Sequence, residues 1–170
     1  MNTGAPISAP ATPLIPVDAQ LRPPPLIDGV RARRLFGVSF CDVTLDDLTG
    51  LVDEQIASRT PGYVVTPNVD HVCRVHRDAD FRRAYEGARL VICDGMPIIW
   101  ASWVLGRPLR QKLSGSDLIY WLSSHAAQRG YSIYLFGAQE GVAAATAERL
   151  QQKYPLLKIA GVQSPPAGFH

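Results

Sequence analysis

The sequence predicts an α/β fold, a Rossmann-like parallel sheet with helices on both faces. Three observations carry that reading. Apolar, β-branched runs alternate with helical stretches of about 10–15 residues, the spacing of βαβ units. The run Leu90-Val91-Ile92-Cys93 is apolar throughout, as in a strand buried on both faces of a sheet. Two runs also stop abruptly in polar residues, at Thr66-Pro67-Asn68 and at Asp94-Gly95. In open α/β sheets the ligand crevice lies outside the carboxyl ends of the strands.

The elements follow in order. Residues 1–34 hold seven of the 14 prolines, including Pro23-Pro24-Pro25, and no periodic apolar pattern. They are expected to form a disordered, polyproline-like tail, with one α/β domain over residues 35–170. Residues 35–40 read as a strand with apolar positions at Phe36, Val38 and Phe40. Thr44 suits the N-cap of a helix carrying Leu45, Leu48, Leu51, Val52 and Ile56 on one stripe. Pro61-Gly62 breaks it, and Tyr63-Val64-Val65 forms the next strand. Residues 68–77 read as a helix, and Asp78 caps another over 79–86 that Gly87 closes. After the Leu90–Cys93 strand, residues 97–105 form an apolar helix. Its Trp100 and Trp103 can sit at a membrane interface, with Arg107 and Arg110 after them, or pack against the sheet, which is favoured. A loop with Arg107, Arg110 and Lys112 leads to a helix over 117–129, capped by Ser116 and ended by Gly130. Residues 132–136 form a strand, Gly137 to Gly141 a turn, and an alanine-rich helix reaches Tyr154 before a last strand over 157–160.

Composition narrows the function classes. The 170 residues suffice for one domain, and 46% hydrophobic with 19% charged residues is ordinary for a soluble protein. A net charge of +2, with no basic patch interleaved with aromatics, argues against nucleic acid. The most apolar window, residues 90–105, is interrupted by Asp94 and Gly95 and does not read as a membrane span. No basic region followed by an apolar core opens the chain, so no secretory signal is read. Three widely spaced cysteines without a C-x-x-C fit reduced thiols in the cytosol.

Several residues invite chemistry. Asp94, at a strand's carboxyl end, is a candidate general base, and Gly95 lets a ligand approach the backbone. Taken alone, this segment fits equally well an Asp that caps the next helix, with Met96 and Pro97 in its first turn. Asp78-Ala79-Asp80 is a D-x-D triplet, yet residues two apart share no helical face, so capping is favoured over metal. His71, Cys73 and His76 match no zinc spacing. No metal site is expected. Cys93 reads as a buried small hydrophobe rather than a nucleophile. The turn with Gly137, Gln139 and Gly141 can hold a phosphate on its N–H groups or be a plain βα connection. The full G-x-G-x-x-G is absent, which leaves a dinucleotide enzyme the weakest reading.

Four segments together resemble the WecG/TagA/CpsF family of bacterial glycosyltransferases: TPNVDHV, ARLVICDGMPIIWASWVLGRPLRQKLSGSDL, YLFGAQEGVAAATAERLQQKYPLLKIAG and the final GF. Their order and spacing match as well as their residue types. The resemblance implies inverting, metal-independent transfer from a UDP-sugar donor to a polyprenyl-diphosphate-linked saccharide at the cytoplasmic membrane face. Members add N-acetylmannosamine, its uronic acid or a hexose, in making teichoic acid, common antigen or exopolysaccharide. By position Asp94 corresponds to the family's base, and Thr66 and Asn68 to its T-x-N motif in the same pocket. No cofactor is implied. Gly137, Gln139 and Gly141 are candidates for the leaving diphosphate, with Arg110 and Lys112 behind them.

Two departures stand out. Family members carry Arg in an E-R pattern where this chain has Gln111-Lys112, and Lys keeps the charge without the bidentate fork. They also continue some sixty or more residues past the point where this sequence stops. The expectation is therefore a domain lacking its C-terminal part, with exposed apolar surface that favours a homo-oligomer. A catalytically silent nucleotide-sugar-binding module is the alternative reading.

Overall fold

The computed structural model describes residues 29–166; the first 28 residues of the expected tail lie outside them. Regular structure starts earlier than Leu35. Strand β1 (Ala32–Leu35) pairs antiparallel with β2 (Val38–Cys41), with Leu35 opposite Val38 and Ala32 opposite Cys41. The single strand expected over 35–40 is thus a hairpin with a two-residue loop, Phe36-Gly37. Both loop residues have positive φ, 51° and 75°, the signature of a type I′ turn. The apolar alternation through Phe36 is accidental: that side chain is 47% exposed.

Helix α1 (Leu45–Ser58) begins as its sequence demands. The Thr44 hydroxyl accepts from the Asp47 N–H, and the Asp47 carboxylate accepts from the Thr44 N–H at 2.9 Å. Of the expected stripe, Leu48 is fully buried and Ile56 is exposed. Strand β3 (Val64–Val65) follows, then α2 (Val69–Val75) and α3 (Ala79–Glu86). Asp78 caps α3 as expected, accepting from the N–H groups of Asp80 and Phe81. Strand β4 (Leu90–Val91) runs parallel to β3, Val64 opposite Leu90 and Val65 opposite Val91.

The four apolar residues from Leu90 to Cys93 are all buried, and they divide by parity. Val91 and Cys93 join the hairpin, α2, α3 and the following helix, α4 (Met96–Val104), in one cluster. Leu90 and Ile92 join α1 and α5 (Gly115–Arg129) in another. Helices therefore cover both faces of β4, and this is why the run shows no polar alternation. Strand β5 (Ser132–Phe136), helix α6 (Val142–Lys153) and strand β6 (Lys158–Gln163) form a second parallel βαβ unit over a third cluster.

The fold is mixed α/β, but the strands do not make the one parallel sheet expected. Among the described residues three two-stranded sheets form, β1-β2, β3-β4 and β5-β6, the first antiparallel. The hairpin turn reverses the chain at Phe36-Gly37, and the far edge of the β4 chain is met at Cys93 by the Leu113 N–H of the loop before α5. Helix α4 also turns otherwise than expected. Ile98, Ile99 and Ser102 face the core, while Trp100 and Trp103 are 56% and 58% exposed. A helix apolar all round carries no stripe to say which face is buried. Helix α5 starts at Gly115 after Ser114, not at Asp117 after Ser116; the Ser114 and Ser116 hydroxyls bond each other at 2.9 Å.

Candidate active site

The β3 and β4 chains stay paired beyond their strands. The Ile92 N–H donates to the Val65 carbonyl at 2.9 Å and the Asp94 N–H to the Pro67 carbonyl at 3.0 Å. On the other side of β4, the Leu113 N–H donates to the Cys93 carbonyl at 2.9 Å. Asp94 therefore emerges between Thr66-Pro67-Asn68 and the start of α5. Gly95 then takes φ 128°, a conformation that L side chains rarely adopt, and α4 begins. No side chain caps α4, so Asp94 does not cap the helix that follows it. Its Oδ2 instead accepts from the Gly115 N–H, the first residue of α5, at 3.3 Å.

Thr66 belongs to the same place. A Cβ on Gly115 would come within 3.3 Å of the Thr66 hydroxyl oxygen. Both Thr66 and Asp94 are half-buried, screened from bulk water yet reachable. Gly115 is the residue the sequence reading missed. Its signal is a glycine between two serines at a helix start, where the backbone must pass close to a neighbouring strand end. Asn68 is exposed and caps α2, its Oδ1 accepting from the His71 N–H at 3.0 Å. Lys112, one residue before Leu113, lies 3.6 Å from the Asp117 carboxylate. Burial pushes the Cys93 thiol up to about 12, the Asp94 charge adding to this and Lys112 opposing it. Such a thiol is no nucleophile at neutral pH.

Gly137, Gln139 and Gly141 lie elsewhere, in the turn between β5 and α6. Gly137, Ala138 and Gly141 all have positive φ, and no side chain caps α6. The Gly137 N–H is taken by the Gln163 carbonyl at 3.0 Å and the Val142 N–H by the Gln139 carbonyl at 3.1 Å. The turn borders a cavity of about 860 Å³ that Gln163, Ser164 and Pro165 close from the β6 side. Neither Thr66 nor Asp94 lines it.

Other candidates have structural employment. Asp78 pairs with Arg74 at 3.1 Å and Asp80 pairs with Arg83. His71 Nδ1 meets the Tyr85 hydroxyl at 3.0 Å, and His76 Nε2 the Phe36 carbonyl at 2.8 Å. Arg110, expected behind a diphosphate, is engaged by two carboxylates. Its guanidinium pairs with Asp47 at 2.7 Å and with the buried Asp42, tying the loop after α4 to β2 and α1. Gln111 fits this brace, its Oε1 accepting from the Leu45 N–H at 3.0 Å. Among the described residues no helix is long and apolar enough to cross a membrane.

The sequence profile of the glycosyl transferase WecG/TagA/CpsF family matches residues 33–170. The chain belongs to that family. Two similar proteins are each named N-acetylglucosaminyldiphosphoundecaprenol N-acetyl-beta-D-mannosaminyltransferase. The protein of Bacillus spizizenii is 25% identical over 125 residues, 73% of this chain and 49% of its own length. That of Staphylococcus aureus strain NCTC 8325 is 24% identical over 128 residues, 74% of this chain and 50% of its own. The chain thus spans about half the length of the curated relatives it matches.

Proposed function

We propose that this family member transfers a sugar from a UDP-sugar to a polyprenyl-diphosphate-linked N-acetylglucosamine, with inversion and without a metal. The observation that carries the reading is Asp94: a half-buried carboxylate at a strand's carboxyl end, with one oxygen held by the Gly115 N–H. Among the described residues no hydrogen bond holds its other oxygen, which in this reading takes the proton. In the proposed step the acceptor hydroxyl oxygen attacks the anomeric carbon from the face opposite UDP. The bond to UDP breaks, its electron pair leaves on the diphosphate, and the hydroxyl proton passes to Asp94. One carboxylate suffices, and no covalent intermediate is needed.

Thr66 and Asn68 orient the substrates by hydrogen bonds, and Gly95 leaves the backbone beside Asp94 uncovered. Lys112 lends positive charge to the departing diphosphate; its 3.6 Å pair with Asp117 is loose enough to be shared. The turn with Gly137, Gln139 and Gly141, away from Asp94, is the alternative holder of the donor's phosphates, on N–H groups at the start of α6 other than that of Val142. Helices on both faces of β4 and two parallel βαβ units support a Rossmann-like frame for this site. The names of the relatives supply the acceptor class, and N-acetylmannosamine is the first donor to try. An acceptor anchored in lipid supports a peripheral position at the cytoplasmic membrane face.

The test is transfer from labelled UDP-sugars to a polyprenyl-diphosphate-N-acetylglucosamine, with chelator present, by this chain and by Asp94→Asn. Turnover of one donor that vanishes in the variant is expected. Equal turnover by both would remove Asp94 from the chemistry. Saturable UDP binding with no turnover would reduce the chain to a nucleotide-sugar-binding module.

A further inference from the structure

Between α2 and α4 runs a groove of about 450 Å³, within the range of small-ligand sites, roughly 300–1,000 Å³. Val69, Val72 and Cys73 form one wall and Pro97, Ile98 and Ala101 the other, with Phe36 of the β1–β2 turn completing it. The lining is apolar except for Cys73 and His76, and the His76 Nε2 already meets the Phe36 carbonyl. One turn beyond Ala101, on the same line of α4, Val104 is 86% exposed.

Two features point to a ligand. One end of the groove is formed at the starts of α2 and α4, next in the chain to the candidate active site: Val69 directly follows Asn68, and Pro97 lies three positions after Asp94. Phe36 is the second. It holds φ 51° in a turn that Asn or Gly fills without strain, and it sets its ring half in water beside an apolar groove. Backbone strain of this kind gathers at ligand clamps. An extended peptide would bring N–H and C=O groups that this lining cannot pair. A hydrocarbon chain brings none.

We propose that the α2/α4 groove receives the first isoprenoid units of the lipid-linked acceptor. The proposal rests on the glycosyl-transfer reading, in which the acceptor's sugar faces Asp94 and its prenyl chain must leave the site along an apolar path.

Cys73 makes the test direct. It is exposed in the groove wall, whereas Cys41 and Cys93 are buried with thiols pushed up by that burial. Iodoacetamide alkylation of Cys73 in the full chain is followed with farnesyl-diphosphate-N-acetylglucosamine and with the methyl-diphosphate analogue. Several-fold protection by the farnesyl compound and none by the methyl compound is expected. Phe36→Asn should melt no lower than the parent, yet need roughly tenfold more farnesyl compound for the same protection. Equal effects of the two compounds, or no protection by either, would overturn the proposal. So would a Cys73 that resists alkylation without lipid: in dilute protein this would place residues 1–28 in the groove, and only in concentrated protein a second copy. Transfer activity with no protection would sink the groove alone. Protection with no transfer would sink the catalytic reading and leave the groove standing.

Discussion

The Gly115 N–H donates to Asp94 Oδ2 at 3.3 Å, joining the end of β4 to the first residue of α5 across 21 positions of sequence. The bond fixes one carboxylate oxygen, and among the described residues no hydrogen bond holds the other. Asn in place of Asp94 can still accept this bond but cannot take a proton. Asp94→Asn is therefore expected to keep its melting temperature and its affinity for UDP while transfer falls about 10²–10⁴-fold. Loss of UDP binding in step with loss of transfer would instead make Asp94 a binding group.

Gly115 offers a subtler test. An added Cβ would sit 3.3 Å from the Thr66 hydroxyl, so the hydroxyl or the helix start must give by a few tenths of an ångström. Gly115 does not need a positive φ, and Ala is otherwise a good residue in a first helical turn. Gly115→Ala should fold as well as the parent and lose activity by up to about tenfold, since small misplacements at a reacting centre are costly. An unchanged kcat would show that Thr66 and Gly115 are not part of the reacting geometry.

What the sequence disclosed, and what it hid, follows from range. The Thr44 and Asp78 caps are i to i+3 contacts between polar atoms, written in adjacent residues, and both form as read. The burial of Leu90 to Cys93 was legible because both faces of one strand are covered. The hairpin was not: its turn places a bulky Phe at positive φ, against the local preference that makes Asn-Gly recognisable. Exposure of Trp100 and Trp103 was hidden for another reason, since an all-apolar helix has no polar face to orient it. Asp94 and the strand ends were visible as candidates, but their partner Gly115 comes from a distant segment. Arg110 shows the same limit, its ionic partners lying more than sixty residues away.

Arg110 supplies a contrast between bracing and catalysis. Asp42 is only 5% exposed and meets Arg33 and Arg110, each at 3.5 Å. Truncating Arg110 leaves the buried carboxylate with Arg33 and with the backbone N–H of residue 110, which donates to Asp42 Oδ1 at 2.9 Å, and removes the guanidinium tie to Asp47. Arg110→Ala should destabilise the fold by about 1–2 kcal/mol, less than a fully buried pair because Arg33 remains and Arg110 itself is half in water. At temperatures where the variant is folded, UDP binding should match the parent. A variant of parental stability that binds UDP weakly would return Arg110 to the donor site.

Acid should loosen the contact between α1 and α5 before neutral conditions do. Asp53 of α1 accepts from His125 Nε2 at 2.7 Å and pairs with Arg129 at 2.8 Å. The His125 hydrogen bond foremost, then the Tyr131 hydroxyl and the charges of His125 and Arg129, hold its carboxyl below the usual carboxylate range. A lowered folded-state value means that the unfolded chain binds the proton more readily. The contribution is therefore complete above the ordinary Asp value, near about pH 4, and is lost as pH falls through the folded value. Asp53→Asn should melt below the parent at mildly acid pH, and the margin should shrink as pH drops below about 4. Thermal melts followed by circular dichroism across that range decide it. A margin that stays constant into strong acid would mean that the Asp53 charge does not stabilise the folded state, and that the side chain acts by packing or neutral hydrogen bonding alone.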